Sequence, residues 1–453
     1  MTAFRRTRYA TTATALVFGS CLGLPSAAIA GTTVLAASNS TCTVNNVTQT
    51  GDQTDAPWEI AAVNPSSLTD PDGNPLTGAG VTVAVIDTGI EAQQQLSVTA
   101  NSTVLNGESG GAGVDDDGHG TMVASIIGAQ KSSTNGMQGI APGVSLMSIR
   151  EAGCKATTGN DEKTMAAAIN YAVQRGAQVI NISQDGYDQD PALLSAVEAA
   201  YQAGVVVVTS AGNQGDRDTT SDTGADYGVN PRTYPASYEP DVIAVGAVDQ
   251  YGDVAPFSET GSEKTGYYIG VTAPGVSVGG LQPNGTIAID DGTSFAAPYV
   301  AAEAALIMQE HDWLGADDAT QARAYDVMKI IYATASGAGS YDPALGWGEA
   351  DIQNALQTRL AGNNALVAPD GTIGGLVKLL GVGPLADGAA PAAAPMGRTV
   401  VKPYVAAAVN QSAKDEERWA YLSLGAGLLV AFVALAGRAV ARDAARRRNA
   451  PRP

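Results

Sequence analysis

From Gly78 onward the chain alternates two patterns, and this alternation constrains its fold more than any other feature. Residues 81–86, 144–149, 178–182, 205–208 and 242–248 are short, nearly all-apolar runs bounded by Gly or by polar residues. Runs of that length and character are strands buried on both faces. Between them lie helical patterns: 164–175 is closed by Gly176 and 191–203 by Gly204. Such a sequence predicts an α/β domain built on a doubly wound parallel sheet flanked by helices. Ligands of these sheets bind beyond the carboxyl ends of the strands. Here those ends are Asp87, Ser183 and the stretch Ala211-Gly212-Asn213. A helix near 322–334 and the segment 346–351 close the domain, placed at 78–360.

The two ends of the chain carry other signals. Arg5, Arg6 and Arg8 precede an apolar stretch at 10–24 and a small-residue site, Ala28-Ile29-Ala30. This is the pattern of a secretory signal, assigned to 1–30. Residues 31–77 form an N-terminal extension whose first part is polar and without period. Residues 361–418 turn rich in Ala, Gly and Pro and are expected to be a tether, spanning roughly 40 Å if flexible. Residues 419–437 carry no charge and are long enough to cross a bilayer as one helix. Arg438, Arg442 and Arg446 to Arg448 follow, so the basic tail at 438–453 belongs in the cytoplasm and the bulk of the chain outside it. The expected location is the cell membrane, with a single pass.

Composition excludes several classes of function. The net charge of −20 speaks against nucleic-acid binding, which needs Lys and Arg on phosphates. Two histidines and three cysteines exclude a His-rich metal centre and a disulfide-dense scaffold. No metal and no cofactor is expected. Removal of a signal containing Cys21 leaves Cys42 and Cys154, which outside the cell are expected to pair, worth about 4–5 kcal/mol in the chain-entropy model. Two free buried thiols are the alternative.

Three segments carry chemistry. Ser294 follows Gly292-Thr293 and opens an Ala-rich helix, with Pro298 tolerated in the first turn. A serine there has unpaired amides and the positive end of a helix dipole beside it, which suits an oxyanion. It needs an adjacent base to be a nucleophile. Of the two histidines, His311 lies after the long helix among polar residues, whereas His119 heads an apolar helix behind an Asp-rich loop. The imidazole in turn needs a carboxylate, and Asp87 at the end of a buried strand suits that role. Asp115-Asp116-Asp117 offers either a calcium site or a solvated loop that offsets a helix dipole, the second being adopted.

In order along the chain stand D-T-G at 87–89, H-G-T at 119–121, S-A-G-N at 210–213 and G-T-S-x-A-x-P at 292–298. Together these resemble the subtilisin-like serine proteases. The resemblance implies an Asp87, His119, Ser294 triad, with the Asn213 amide and the Ser294 N–H as oxyanion donors. It implies an S1 pocket lined by Ser183, Ala211, Gly212 and Ala236. Two positions depart from the pattern: Met122 stands where many members have a second, non-catalytic His, and Gln184-Asp185 replaces the usual Leu-Gly. The signal, the Trp58-containing extension, the tether, the C-terminal helix and the basic tail are similar to those of mycosins, membrane-anchored subtilases of actinobacterial type VII secretion systems. That likeness implies protein substrates, secretion-complex subunits as partners and a second role in stabilising the membrane complex. The alternative it carries is a chiefly structural subunit with dispensable proteolysis.

Overall fold

In β1 (Thr82–Asp87), Val83 and Val85 face one way and Ala84 and Ile86 the other, and none is more than 1% exposed. A strand apolar on both sides needs a layer of helices on each face. A computed structural model shows both layers. It describes residues 55–360 apart from 105–112, 154–161, 221–225, 263–264, 316–318 and 338–340, together with 366–367. Val83 and Val85 join a core with α2 (His119–Gly128) and α5 (Thr293–Glu310). Ala84 and Ile86 join a second core with α3 (Glu162–Gln174) and α4 (Pro191–Gln202).

The sheet has seven parallel strands in the order β2-β3-β1-β4-β5-β8-β9. Here β2 is Val98–Thr103, β3 Ser145–Arg150, β4 Val179–Ile182, β5 Val206–Ser210, β8 Ile243–Val248 and β9 Ile269–Pro274. A small hairpin, β6 (Asp218–Thr220) with β7 (Asp226–Val229), intervenes. Successive strands are added first on one side of β1 and then on the other, so the switch point lies at the end of β1, where Asp87 sits. The five apolar runs appear as β1, β3, β4, β5 and β8, each within a residue or two of its expected bounds. The helices expected at 164–175, 191–203 and 322–334 appear as α3, α4 and α6 (Gln321–Thr334). α4 shows why its start was readable: Asp190 accepts from the Ala192 and Leu193 N–H groups and Pro191 occupies the first turn.

The described part of the extension carries α1 (Trp58–Val63), which packs on β10 (Val278–Leu281), paired in turn with β11 (Ile287–Asp290). Trp58 Nε1 donates to the Val276 and Ser277 carbonyls, and the buried Glu59 accepts from the Gly279 N–H at 3.0 Å. Residues 1–54, with Cys42, lie outside the described residues, as do Cys154 and 368–453 with the apolar segment 419–437. Among the described residues no helix is long and apolar enough to cross a membrane.

Candidate active site

The D-T-G and H-G-T turns interlock through one hydroxyl. Thr88 Oγ1 accepts from the Gly120 N–H at 2.9 Å and donates to Asp115 Oδ1 at 2.8 Å. Asp115 Oδ1 also accepts from the Gly118 N–H, and Oδ2 from the N–H and the hydroxyl of Thr121 at 2.8 and 2.6 Å. Gly120 must be glycine because a Cβ would lie 2.1 Å from the Gly89 carbonyl oxygen. That close approach brings His119 Nδ1 to 2.8 Å from Asp87 Oδ1. A carboxylate only accepts, so Nδ1 carries the proton and Nε2 is left as the base.

The three consecutive aspartates thus take three different tasks. Asp115 turns inward to tie the two loops. Asp116 pairs with the buried Arg150 at 2.8 Å. Asp117 stays beside His119 and acts on its charge. With the oxygens of Asp115 engaged by its own loop, the run presents no shared face to a cation; among the described residues no group of three or more His, Cys, Asp or Glu is placed to hold a metal.

Ser294 sits in the first turn of α5 and is 9% exposed. Asn213 Oδ1 accepts from the N–H and the hydroxyl of Thr293 at 2.9 and 3.0 Å. Because the Thr293 N–H can only donate, this fixes the orientation of the amide and leaves Nδ2 available as a donor. The Phe295 ring packs against His119, with centroids 5.3 Å apart. Ser294 Oγ donates to the Ser183 carbonyl at 3.1 Å, and no hydrogen bond joins it to His119. In an empty site such contacts commonly tighten only when substrate enters.

Burial lowers the His119 pKa, but the Asp87 carboxylate, then Asp117 and Asp290, outweigh it and push the imidazole from 6.5 up to about 9. Only the neutral imidazole can take a proton from serine, so activity is present above this pKa and lost below it. We expect the acid limb of kcat/KM to have its midpoint above 6.5, moving to lower pH in Asp117→Asn. A pH profile with a midpoint at or below 6.5 in the unmodified chain contradicts this electrostatic account.

The residues assigned to the S1 pocket are enclosed here: Ser183 is 3% exposed, and Ala211 and Ala236 are not exposed at all. Ser183 Oγ donates to the Ser294 carbonyl at 2.7 Å and accepts from Asn181 Nδ2, so this hydroxyl braces the nucleophile's backbone. Ala211 and Ala236 are fully buried in one cluster with Tyr268. Gly212 has φ +111°, and its N–H donates to Thr293 Oγ1 at 3.2 Å. Asp290 beside His119 is a contributor that no motif singled out, and only the fold shows that Thr293, part of the G-T-S motif, orients Asn213. Asp117 lies two residues before His119 in the chain, whereas only the fold brings Asp290 to the imidazole.

The subtilase family (peptidase S8) is matched over residues 78–348. Subtilisin DY of Bacillus licheniformis is 40% identical over 240 residues, 53% of this chain and 80% of that protein. Subtilisin E of Bacillus subtilis is 37% identical over 236 residues, 52% of this chain and 57% of that protein. Among solved structures, MycP1 from the ESX-1 type VII secretion system is 29% identical, with a TM-score of 0.58 over 70% of this chain and 89% of that one. The MycP3 protease from the type VII (ESX-3) secretion system is 28% identical, with a TM-score of 0.57 over 70% of this chain and 92% of that one. Asp87, His119 and Ser294 all fall within the matched span, and the chain belongs to the subtilase family of serine endopeptidases.

Proposed function

We propose that the chain is a membrane-anchored, extracytoplasmic serine endopeptidase that processes proteins of a type VII secretion system and helps stabilise its membrane complex. The observation that carries the enzymatic part is the 2.8 Å contact of Asp87 with His119, set beside Ser294 and an Asn213 amide oriented by Thr293. Ser294 Oγ attacks the scissile carbonyl while His119 Nε2 takes its proton. Asp87 stabilises the imidazolium, and Asn213 Nδ2 with the Ser294 N–H receives the developing oxyanion. His119 then returns the proton to the leaving amine, and water repeats the sequence to free the acyl group. Ser183, Ala211, Gly212 and Ala236 border the P1 site. The structural likeness to MycP1 and MycP3 supports the secretion context. The uncharged segment 419–437 and the arginines after it support one pass with a cytoplasmic C-terminus. A Cys42–Cys154 bridge would pin the extension to the catalytic domain.

A second reading, a chiefly structural subunit, is favoured by the bond of Ser294 Oγ to the Ser183 carbonyl in place of His119. The two separate in the organism that makes the protein. With an active enzyme, Ser294→Ala abolishes processing of the secreted proteins, and deletion of the chain abolishes secretion itself. Unchanged processing in the Ser294→Ala strain overturns the enzymatic reading, and unchanged secretion in the deletion strain overturns the role in the complex.

A further inference from the structure

The base and the nucleophile arrive on different helices, His119 at the head of α2 and Ser294 in the first turn of α5. In the empty site no hydrogen bond joins their side chains, because Ser294 Oγ donates to the Ser183 carbonyl. The residue after the nucleophile links the two helices instead. The Phe295 ring lies against the imidazole, with centroids 5.3 Å apart and planes inclined at 46°. Its own place is fixed from another side. The Phe295 N–H donates to the Gly292 carbonyl at 3.1 Å, and a Cβ on Gly292 would lie 3.6 Å from two carbons of the ring and 3.7 Å from Asn213 Nδ2. The side chain is 3% exposed, within the core that α2 and α5 share. One ring therefore adjoins both the general base and the turn beside the oxyanion donor.

His119 needs such a support. Among the described residues its ring makes one hydrogen bond, from Nδ1 to Asp87 at 2.8 Å. A single bond is a pivot, and a ring that tilts about Nδ1 moves Nε2 the most. Nε2 is the atom that must meet the Ser294 hydroxyl, and misplacing a reacting group by about 1 Å costs about 100-fold in rate. A wall carried by α5 itself restricts the tilt and sets the base against the nucleophile through one turn of helix. Phenylalanine suits the task because it has no donor or acceptor to compete for Nε2 or Oγ. An aromatic ring also attracts a cation within about 6 Å of its centroid. The imidazolium that forms as serine gives up its proton thus gains a second partner besides Asp87. The position is the first open one of G-T-S-x-A-x-P, so the motif assigns it no role.

We propose that Phe295 is a positioning residue for catalysis, holding the His119 imidazole at the tilt from which Nε2 takes the Ser294 proton. The proposal rests on the protease reading above and adds a residue to its machinery. Phe295 acts through His119 and is not itself a reacting group.

The test uses the full-length chain with Phe295→Leu and Phe295→Ala. Fluorophosphonate titration of Ser294, run to completion, counts the active molecules, so that unfolded chains do not enter the rates. Leucine keeps the core filled but removes the flat ring, and alanine opens a gap beside the imidazole. We expect kcat per titrated site to fall about tenfold in Phe295→Leu and about 100-fold in Phe295→Ala, with KM for a peptide substrate little changed. The acid limb of kcat/KM should also move down by about half a pH unit, because the imidazolium loses the ring and is held less firmly to Asp87, while Asp117 and Asp290 are untouched. A side chain that only fills space would change stability but neither of these readouts. In Phe295→Leu, a parental kcat per site, an unmoved acid limb, or a raised KM at unchanged kcat each overturns the proposal and leaves the protease reading in place. That variant decides by itself if the alanine chain does not fold. A parent chain that neither titrates nor cleaves any peptide overturns the protease reading and the proposal with it.

Discussion

Ser294→Ala lowers kcat on a peptide substrate by about a millionfold, the loss known for removing the nucleophile of subtilisin and carried over to this relative. The argument from this structure is qualitative: no other hydroxyl shares the position of Ser294. It opens α5 with its backbone N–H at the helix start, and Asn213 lies against the preceding Thr293. Thr293, the nearest alternative, spends its hydroxyl on Asn213 Oδ1 and accepts from Gly212, so it cannot replace the nucleophile. The residual rate comes from the oxyanion donors and substrate binding, so Asn213→Ala should cost a further, separable factor of about 100–1000 when made in the intact triad. Steady-state kinetics on the two single variants checks both figures. A Ser294→Ala variant within tenfold of the parent rate would sink the assignment.

Asp115→Ala should be the most damaging substitution that touches no substrate. The carboxylate is 4% exposed and accepts from Gly118 N–H, Thr121 N–H, Thr121 Oγ1 and Thr88 Oγ1. Alanine leaves those donors buried and unpaired, a loss of about 3–5 kcal/mol. In a domain of this size that lowers Tm by roughly 5–10 °C. It also frees the D-T-G turn from the H-G-T turn, so activity per folded molecule should fall as well. Asp115→Asn keeps the shape and one acceptor oxygen and should lose less on both counts. Calorimetry with active-site titration separates the two effects; a Tm within about 1 °C of the parent for Asp115→Ala contradicts the account.

How much of this was legible in the sequence depends on the range of the contact. The central strands were readable because both faces of β1, β3, β4, β5 and β8 are buried, which leaves unbroken apolar runs. Edge strand β2 escaped because its Val98–Thr103 stretch is polar and half-exposed, and β9 because Gly, Thr and Pro interrupt its apolar residues. The triad positions were readable because short motifs fix them through neighbouring backbone groups. In contrast, nothing local distinguishes Asp115 from Asp116, and their opposite orientations follow from Thr121 on one side and Arg150 on the other.

The central claim is that Asp87, His119 and Ser294 form a working nucleophile. The most direct measurement is covalent labelling of the full-length chain by a fluorophosphonate, beside its Ser294→Ala variant and across pH. The account predicts labelling of the parent alone, slowing as pH falls through the raised His119 pKa of about 9. A folded parent that stays unlabelled at alkaline pH, or a variant that labels equally well, would contradict it.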